Sequence, residues 1–195
     1  MTQAALPVKR AADRIRDAAR DLFYRLGIRA VGVDQIVARA GVTKPSLYRA
    51  FASKDDLAAA YLQDYSRAFF EGFHAAIVAH PGDPRAQIRA WMKSLAHLTT
   101  RSAHRGCGIT NAVVEYPDSA HPVWAVAEDA KRQLRAVLTE MAAAMGAPDP
   151  QAMGDGLMLL MEGAHATGQL FGPGGPAGHV ADAAEALIEA HLSRS

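Results

Sequence analysis

An all-α fold of about nine helices is what this 195-residue sequence predicts, and three observations predict it. Apolar residues recur at spacings of three and four along most of the chain. Glycine and proline gather where those stripes stop. No stretch alternates apolar and polar residues long enough to read as a strand, and there is no internal repeat or low-complexity tail.

Residues 1–8 lack a periodic pattern and read as a loose arm, followed by the basic pair Lys9 and Arg10. Ile15, Ala18, Ala19, Leu22, Phe23 and Leu26 then form one helical stripe, ended by Gly27. Ile36, Val37 and Ala40 predict a short second helix, Gly41 a tight turn, and Thr43 the cap of a third. Leu47 and Phe51, four apart, bury one face of that third helix. Ser53 with Asp56 resembles a capping box that opens a long helix running to about residue 78, stopped by Pro81 and Gly82. Further helices are expected over about 84–103, 109–115, 122–145, 151–171 and 179–192. A flexible Gly-Pro run, residues 172–176, separates the last two.

Charge divides the chain. Residues 1–54 hold 11 Lys and Arg against 4 Asp and Glu, a net of +7, and residues 55–195 hold 10 against 16, a net of −6. A basic head on an acidic body suits a polyanion-binding module carried by a part that stays away from the polyanion. Two short helices around a glycine turn are the helix-turn-helix arrangement, whose second helix enters the major groove of DNA. Its outward residues here are Lys44, Pro45, Ser46, Tyr48 and Arg49. Lys44, in the first turn, has the chemistry to contact guanine O6 and N7, and the Pro45 ring to touch a thymine methyl. Ser46 suits a base or a phosphate, and Arg49 either role. Lys54, at the positive end of the long helix, suits a phosphate.

The segment from Arg14 to Leu57, RIRDAARDLFYRLGIRAVGVDQIVARAGVTKPSLYRAFASKDDL, resembles the DNA-binding domain of TetR-type transcriptional repressors. The matching elements are Ala18-Ala19, Leu22-Phe23, Gly27, Ile36, Ala40-Gly41-Val42, Ser46-Leu47-Tyr48, Phe51 and Ser53-Lys54. Gly32 departs from the pattern, because that family usually caps its second helix with Ser or Thr; glycine is an acceptable cap. The resemblance implies that Tyr48 and Lys54 contact the DNA backbone. It also implies a head over residues 1–54 and an effector-binding, dimerising body over 55–195. Residues 105–123, RGCGITNAVVEYPDSAHPV, resemble a subgroup pattern of Gly-Cys followed by Asn, Glu and a Pro-Asp turn.

The body is rich in soft and aromatic apolar residues, which singly suit ordinary core packing as well as an adaptable pocket, and the resemblance implies a pocket there, for a small apolar or amphipathic effector. Phe69, Phe73, Trp91, Leu95, Cys107, Asn111, Trp124, Met158, Met161 and His165 are the candidate lining, with His97 and Glu115 as further polar candidates. The resemblance implies that the last two helices pair with a second copy. Met158, Leu159, Leu170, Leu187 and Ile188 are the candidates for that interface. The expected partners are therefore double-stranded operator DNA bound as a palindrome, a small effector and a second copy.

Other classes find less support. Half the residues are apolar and 21% are charged, yet the most apolar stretch, residues 156–161, is far too short to span a membrane. No secretory leader precedes Lys9, and the one cysteine, Cys107, has no partner for an internal disulfide; a soluble, cytoplasmic protein is expected. His97 and His104 lie seven apart without the short Cys/His spacing of a zinc site, so neither metal nor cofactor is expected. A redox sensor at Cys107 is one alternative, since His104 and Arg105 are adjacent. A helical enzyme using Cys107, His104 and Glu115 is another, but it leaves the basic head without a purpose. An architectural DNA-binding protein would need a body of solid core.

Overall fold

The computed structural model describes residues 9–193, and every regular element among them is helical. The helices are α1 Ala11–Leu26, α2 Val33–Ala40, α3 Lys44–Ala50, α4 Lys54–Ala79, α5 Pro84–Thr99, α6 Gly108–Glu115, α7 Pro122–Ala144, α8 Pro150–Phe171 and α9 Val180–Leu192. The expected loose arm, residues 1–8, lies outside the described residues. No helix among the described residues is long and apolar enough to cross a membrane.

Local chemistry starts the helices. Thr43 Oγ1 accepts the Ser46 N–H and Ser53 Oγ accepts the Asp56 N–H. Asp83 and Asp149 cap α5 and α8 in the same way, through the Ala86 and Ala152 N–H groups. Gly32 has no side chain to offer, so Gln35 reaches back and accepts the Gly32 N–H at 2.8 Å, half of a capping box. Between α2 and α3, Gly41 takes φ +61°, the left-handed geometry that lets two helices meet at a sharp angle.

Two boundaries differ from expectation. Helix α5 ends at Thr99, four residues early. The Thr99 and Thr100 hydroxyls bond back to the Leu95 and Ala96 carbonyls, which weakens the last turn. The glycine-proline run before α9 closes into a short 3₁₀ turn, Pro176–His179, whose Ala177 is buried.

Apolar packing forms two clusters. The first unites Ile15, Ala19 and Phe23 of α1 with Ile36, Leu47, Leu57 and Tyr61, and continues into Cys107, Ile109 and Ala112 and into Val123 and Ala127 of α7. The head therefore shares one core with α6 and the start of α7. The second cluster fills the far end, where Phe73, Trp91, Leu95, Leu138, Leu157 and Ile188 meet. Helix α4 runs through both and is clamped to α1 by Arg16, whose Nη1 lies 3.1–3.2 Å from both Asp64 oxygens.

Candidate nucleic-acid interface and effector cavity

Burial of Leu47 fixes which face of α3 is free. Lys44, Pro45, Tyr48 and Arg49 are exposed on it, while Ser46 is half-buried with its hydroxyl 3.0 Å from Thr43 Oγ1. Tyr48 keeps 51% of its surface in solvent, so it is no interhelical packing residue in the free chain. Lys44 Nζ is paired with Asp34 of α2 at 2.8 Å, and that bond and charge hold the ammonium pKa above its usual value. Lys54 has an internal task that the sequence did not reveal. Its Nζ donates to the Ile28 carbonyl at 2.9 Å and the Val31 carbonyl at 3.0 Å, tying the α1–α2 turn to the start of α4.

The ten candidate lining residues do not converge on one place. Phe69, Cys107, Met161 and His165 border a cavity of about 20 Å³ among α4, α6, α7 and α8. Phe73, Trp91 and Leu95 are packed instead into the second core. Met158 packs against that same core. Asn111 donates to the Arg105 carbonyl at 2.6 Å and faces a groove of about 430 Å³ between α6 and the end of α1. Trp124, anchored by its Nε1–H to the Tyr116 carbonyl, walls a second groove of about 540 Å³ between α6 and α7. His97 is exposed on α5.

Of the polar groups of the small cavity the sequence pointed to His165 but not to Lys131 or Glu162. Lys131 of α7 forms an ion pair with Glu162 of α8, and the Thr110 hydroxyl donates to the same carboxylate at 2.8 Å. Burial pushes the Glu162 carboxyl up, but the Lys131 charge and the two hydrogen bonds outweigh it and hold it below the usual range. Burial pushes the Lys131 ammonium down, and the adjacent Cys107 sulfur (3.5 Å) and Glu162 carboxylate overcome that. His165 is buried and neutral at pH 7, its pKa pushed down by burial to about 4. Its Nδ1 has no hydrogen-bond partner among the described residues. A signal was present: Lys131 lies on the apolar stripe of Ala127 and Leu134, and Glu162 on that of Met158 and His165.

Helix α6 ties this cavity to the head. In the segment leading into it, the Tyr24 hydroxyl of α1 accepts the Arg105 N–H at 3.0 Å and lies 3.3 Å from the Gly106 carbonyl and 3.4 Å from His104 Nδ1. At its end, the Glu115 carboxylate accepts the Arg29 N–H at 2.8 Å, and Arg29 Nη1 donates to the Glu115 carbonyl. These contacts disperse the three residues of the enzyme alternative. Glu115 faces the α1–α2 turn, and His104 donates from Nε2 to the His165 carbonyl at 3.2 Å; no nucleophile, base and acid are lined up. Among the described residues there is no cluster of three metal-ligating side chains.

On the outer side, Leu159 and Leu170 of α8 are 72% and 76% exposed, and Phe171, which the sequence reading missed, is 58% exposed. Leu187 is half-buried. Ile188 is corrected: it is 1% exposed, turned into the subunit's own core, and offers nothing to a second copy.

A family model described as "Bacterial regulatory proteins, tetR family" matches residues 15–61. The HTH-type transcriptional activator FasR of Mycolicibacterium smegmatis is 36% identical over 85 residues, which span 44% of this chain and 38% of that protein. Thus the chain matches well under half the length of that curated relative. The crystal structure of a TetR-family transcriptional regulator from Streptomyces coelicolor is similar over nearly all of both molecules. It superposes with a TM-score of 0.83 at 36% identity, covering 93% of this chain and 94% of that one. A putative regulator of the same kind from Streptomyces avermitilis gives a TM-score of 0.82 at 29% identity, covering 94% and 99%.

Proposed function

This chain belongs to the TetR family of transcriptional regulators, and from that premise we propose that it is a cytoplasmic repressor. Two copies, paired through α8 and α9, bind a palindromic operator with both α3 helices, and a small apolar or amphipathic effector releases them. The observation that carries the reading is the position of α6. This helix, with its cap Cys107, borders the small cavity at Cys107 and Ile109 and the α6–α7 groove at Ile109 and Thr110, and both the segment leading into it and its last residue are hydrogen-bonded to the head. An effector that displaces α6 moves Tyr24 and the α1–α2 turn with it. Two heads on fixed half-sites then lose register.

The test is fluorescence anisotropy of DNA flanking the chain's own gene, titrated with the protein with and without apolar compounds. Binding relieved by a compound supports the reading. Binding that no compound relieves leaves an architectural protein, and no binding overturns the reading. A reporter driven by the same DNA gives the sign, since the relative FasR is named an activator.

Within this scheme the basic residues divide their work. Lys44→Ala is expected to weaken operator binding and also to relax base preference, because Lys44 sits where α3 meets base edges. Lys54→Ala is expected to weaken all sequences alike and flatten the salt dependence by about one unit of slope. It should also lower the melting temperature, because the Ile28 and Val31 carbonyls lose their donor. Equal effects on operator and random DNA from both variants refute this division.

Glu115→Ala separates coupling from binding. Glu115 touches neither α3 nor the cavity, yet it is the latch between α6 and Arg29. The variant is expected to hold operator affinity within about threefold while requiring about tenfold more effector for release, a coupling loss of ~1.4 kcal/mol. Unchanged effector response shows that the signal bypasses this latch.

A further inference from the structure

The proposed effector site has a chemistry of its own, and the following rests on the regulatory reading above. The groove between α6 and α7 is a mostly apolar trough of about 540 Å³ walled by Val113, Trp124 and Ala127, a size suited to a small organic molecule. Ile109 and Lys131 border both this trough and the inner cavity. The inner cavity, about 20 Å³, has room for one water-sized group. Trough and cavity thus share Ile109 and Lys131 as a common wall, and displacing these two side chains would join them into one site with an apolar body outside and a polar atom inside.

We infer that the effector is a neutral, ring-bearing molecule with a hydroxyl head, its body against Trp124 and its oxygen between Lys131 and His165. Three features select that head. The Lys131 charge is already balanced by Glu162 in a half-buried ion pair, so an ionised carboxylate or ammonium brings an unbalanced charge to a partly desolvated place beside the buried His165. His165 Nδ1 lacks a partner, and a buried imidazole nitrogen without one is unfavourable. A hydroxyl both donates and accepts, so it satisfies that nitrogen in either tautomer while taking a hydrogen bond from the ammonium of Lys131. The trough adds a flat wall, because the Trp124 indole is held by its bond to Tyr116.

The test is isothermal titration calorimetry of the full chain, without DNA, against four matched probes: 4-propylphenol, propylbenzene, 4-propylbenzoate and 4-propylbenzylamine. The phenol is expected to bind at least tenfold tighter than each of the others. His165→Leu should bring the phenol to within about twofold of propylbenzene while leaving propylbenzene itself unchanged. Val113→Trp, which fills the trough, should abolish binding of all four. Tighter binding of the carboxylate or the amine overturns the inference, as does a phenol preference that survives in His165→Leu or no binding by any probe. The series on the unaltered chain decides the matter even if His165→Leu fails to fold. Because DNA is absent, a phenol that binds but leaves operator affinity unchanged refutes the regulatory reading and leaves the ligand class standing.

Discussion

Gly168→Ala is expected to destabilise the fold by about 3 kcal/mol and to lower the melting temperature by ~6–12 °C. Helix α8 crosses the end of α5 at this residue with no space between the backbones. A Cβ on Gly168 meets the Thr99 carbonyl oxygen at 2.5 Å, the Thr99 Cβ at 2.7 Å and the Thr99 carbonyl carbon at 2.9 Å. Main-chain atoms have no rotamer to escape into, so α5 or α8 must shift. Thr99 is fully buried and already bonds back to Leu95 and Ala96, which leaves the end of α5 little freedom. The same substitution moves the α8 turn that carries His165 and, through the His165 carbonyl, His104 and the Tyr24 contact. Urea unfolding measures the effect, and a loss under 1 kcal/mol shows that the crossing is looser than described. Gly32→Ser in the same assay has the opposite sign, a gain of a few tenths of a kcal/mol, because Gly32 already has the extended geometry of a cap residue.

The two ends of that comparison show which features were legible. Thr43 with Ser46 and Ser53 with Asp56 are three apart, so the chain spells out its own helix starts, and with the Leu47–Phe51 spacing and the Gly41 turn they made the two short helices legible. The stop of α5 was not, because the back-bonding of Thr99 and Thr100 that weakens its last turn is a choice of side-chain rotamer that spacing does not record, and neither is the crossing with Gly168, 69 positions away. The cavity failed for a related reason. Aromatic residues such as Phe73 and Trp91 have the same composition whether they line a space or close it, and here they close it. Charges on apolar stripes are more telling. Lys131 and Glu162 each interrupt an inward face, and a half-buried charge there calls for a partner, so the pair was discoverable even though its members are 31 residues apart. Lys54 illustrates the limit: its position predicted a cation near DNA, and nothing local announced the two carbonyls it binds.

Acid is expected to loosen the molecule through His165 before it reaches the carboxylates. The imidazole is buried beside His104 and Lys131, which disfavour a second positive charge, and beside Glu162, which favours it; burial dominates and brings the pKa down to about 4. In the unfolded chain the same group titrates near 6.5. Between those values the unfolded state binds a proton that the folded state refuses. The contribution of neutral His165 is therefore complete above about pH 6.5 and drains away as the pH falls towards 4, at up to ~1.4 kcal/mol per pH unit and about 3 kcal/mol in all. His104, held below its usual value by burial against the opposing bond to the His165 carbonyl, adds in the same direction. Glu162 is held below the usual carboxylate range by the Lys131 charge and its hydrogen bonds, against the effect of burial. Urea unfolding from pH 7.5 to 4.5 is the measurement, run on the unaltered chain and on His165→Leu. The variant should lose distinctly less stability across this interval, and parallel curves show that His165 admits its proton without opening the fold. The proposed effector site is coupled to this titration, since the group that resists charge is also the one whose Nδ1 lacks a partner among the described residues. A neutral hydroxyl seated there gives Nδ1 its hydrogen bond without placing a net charge in the cavity, so the bound effector should steepen the acid dependence.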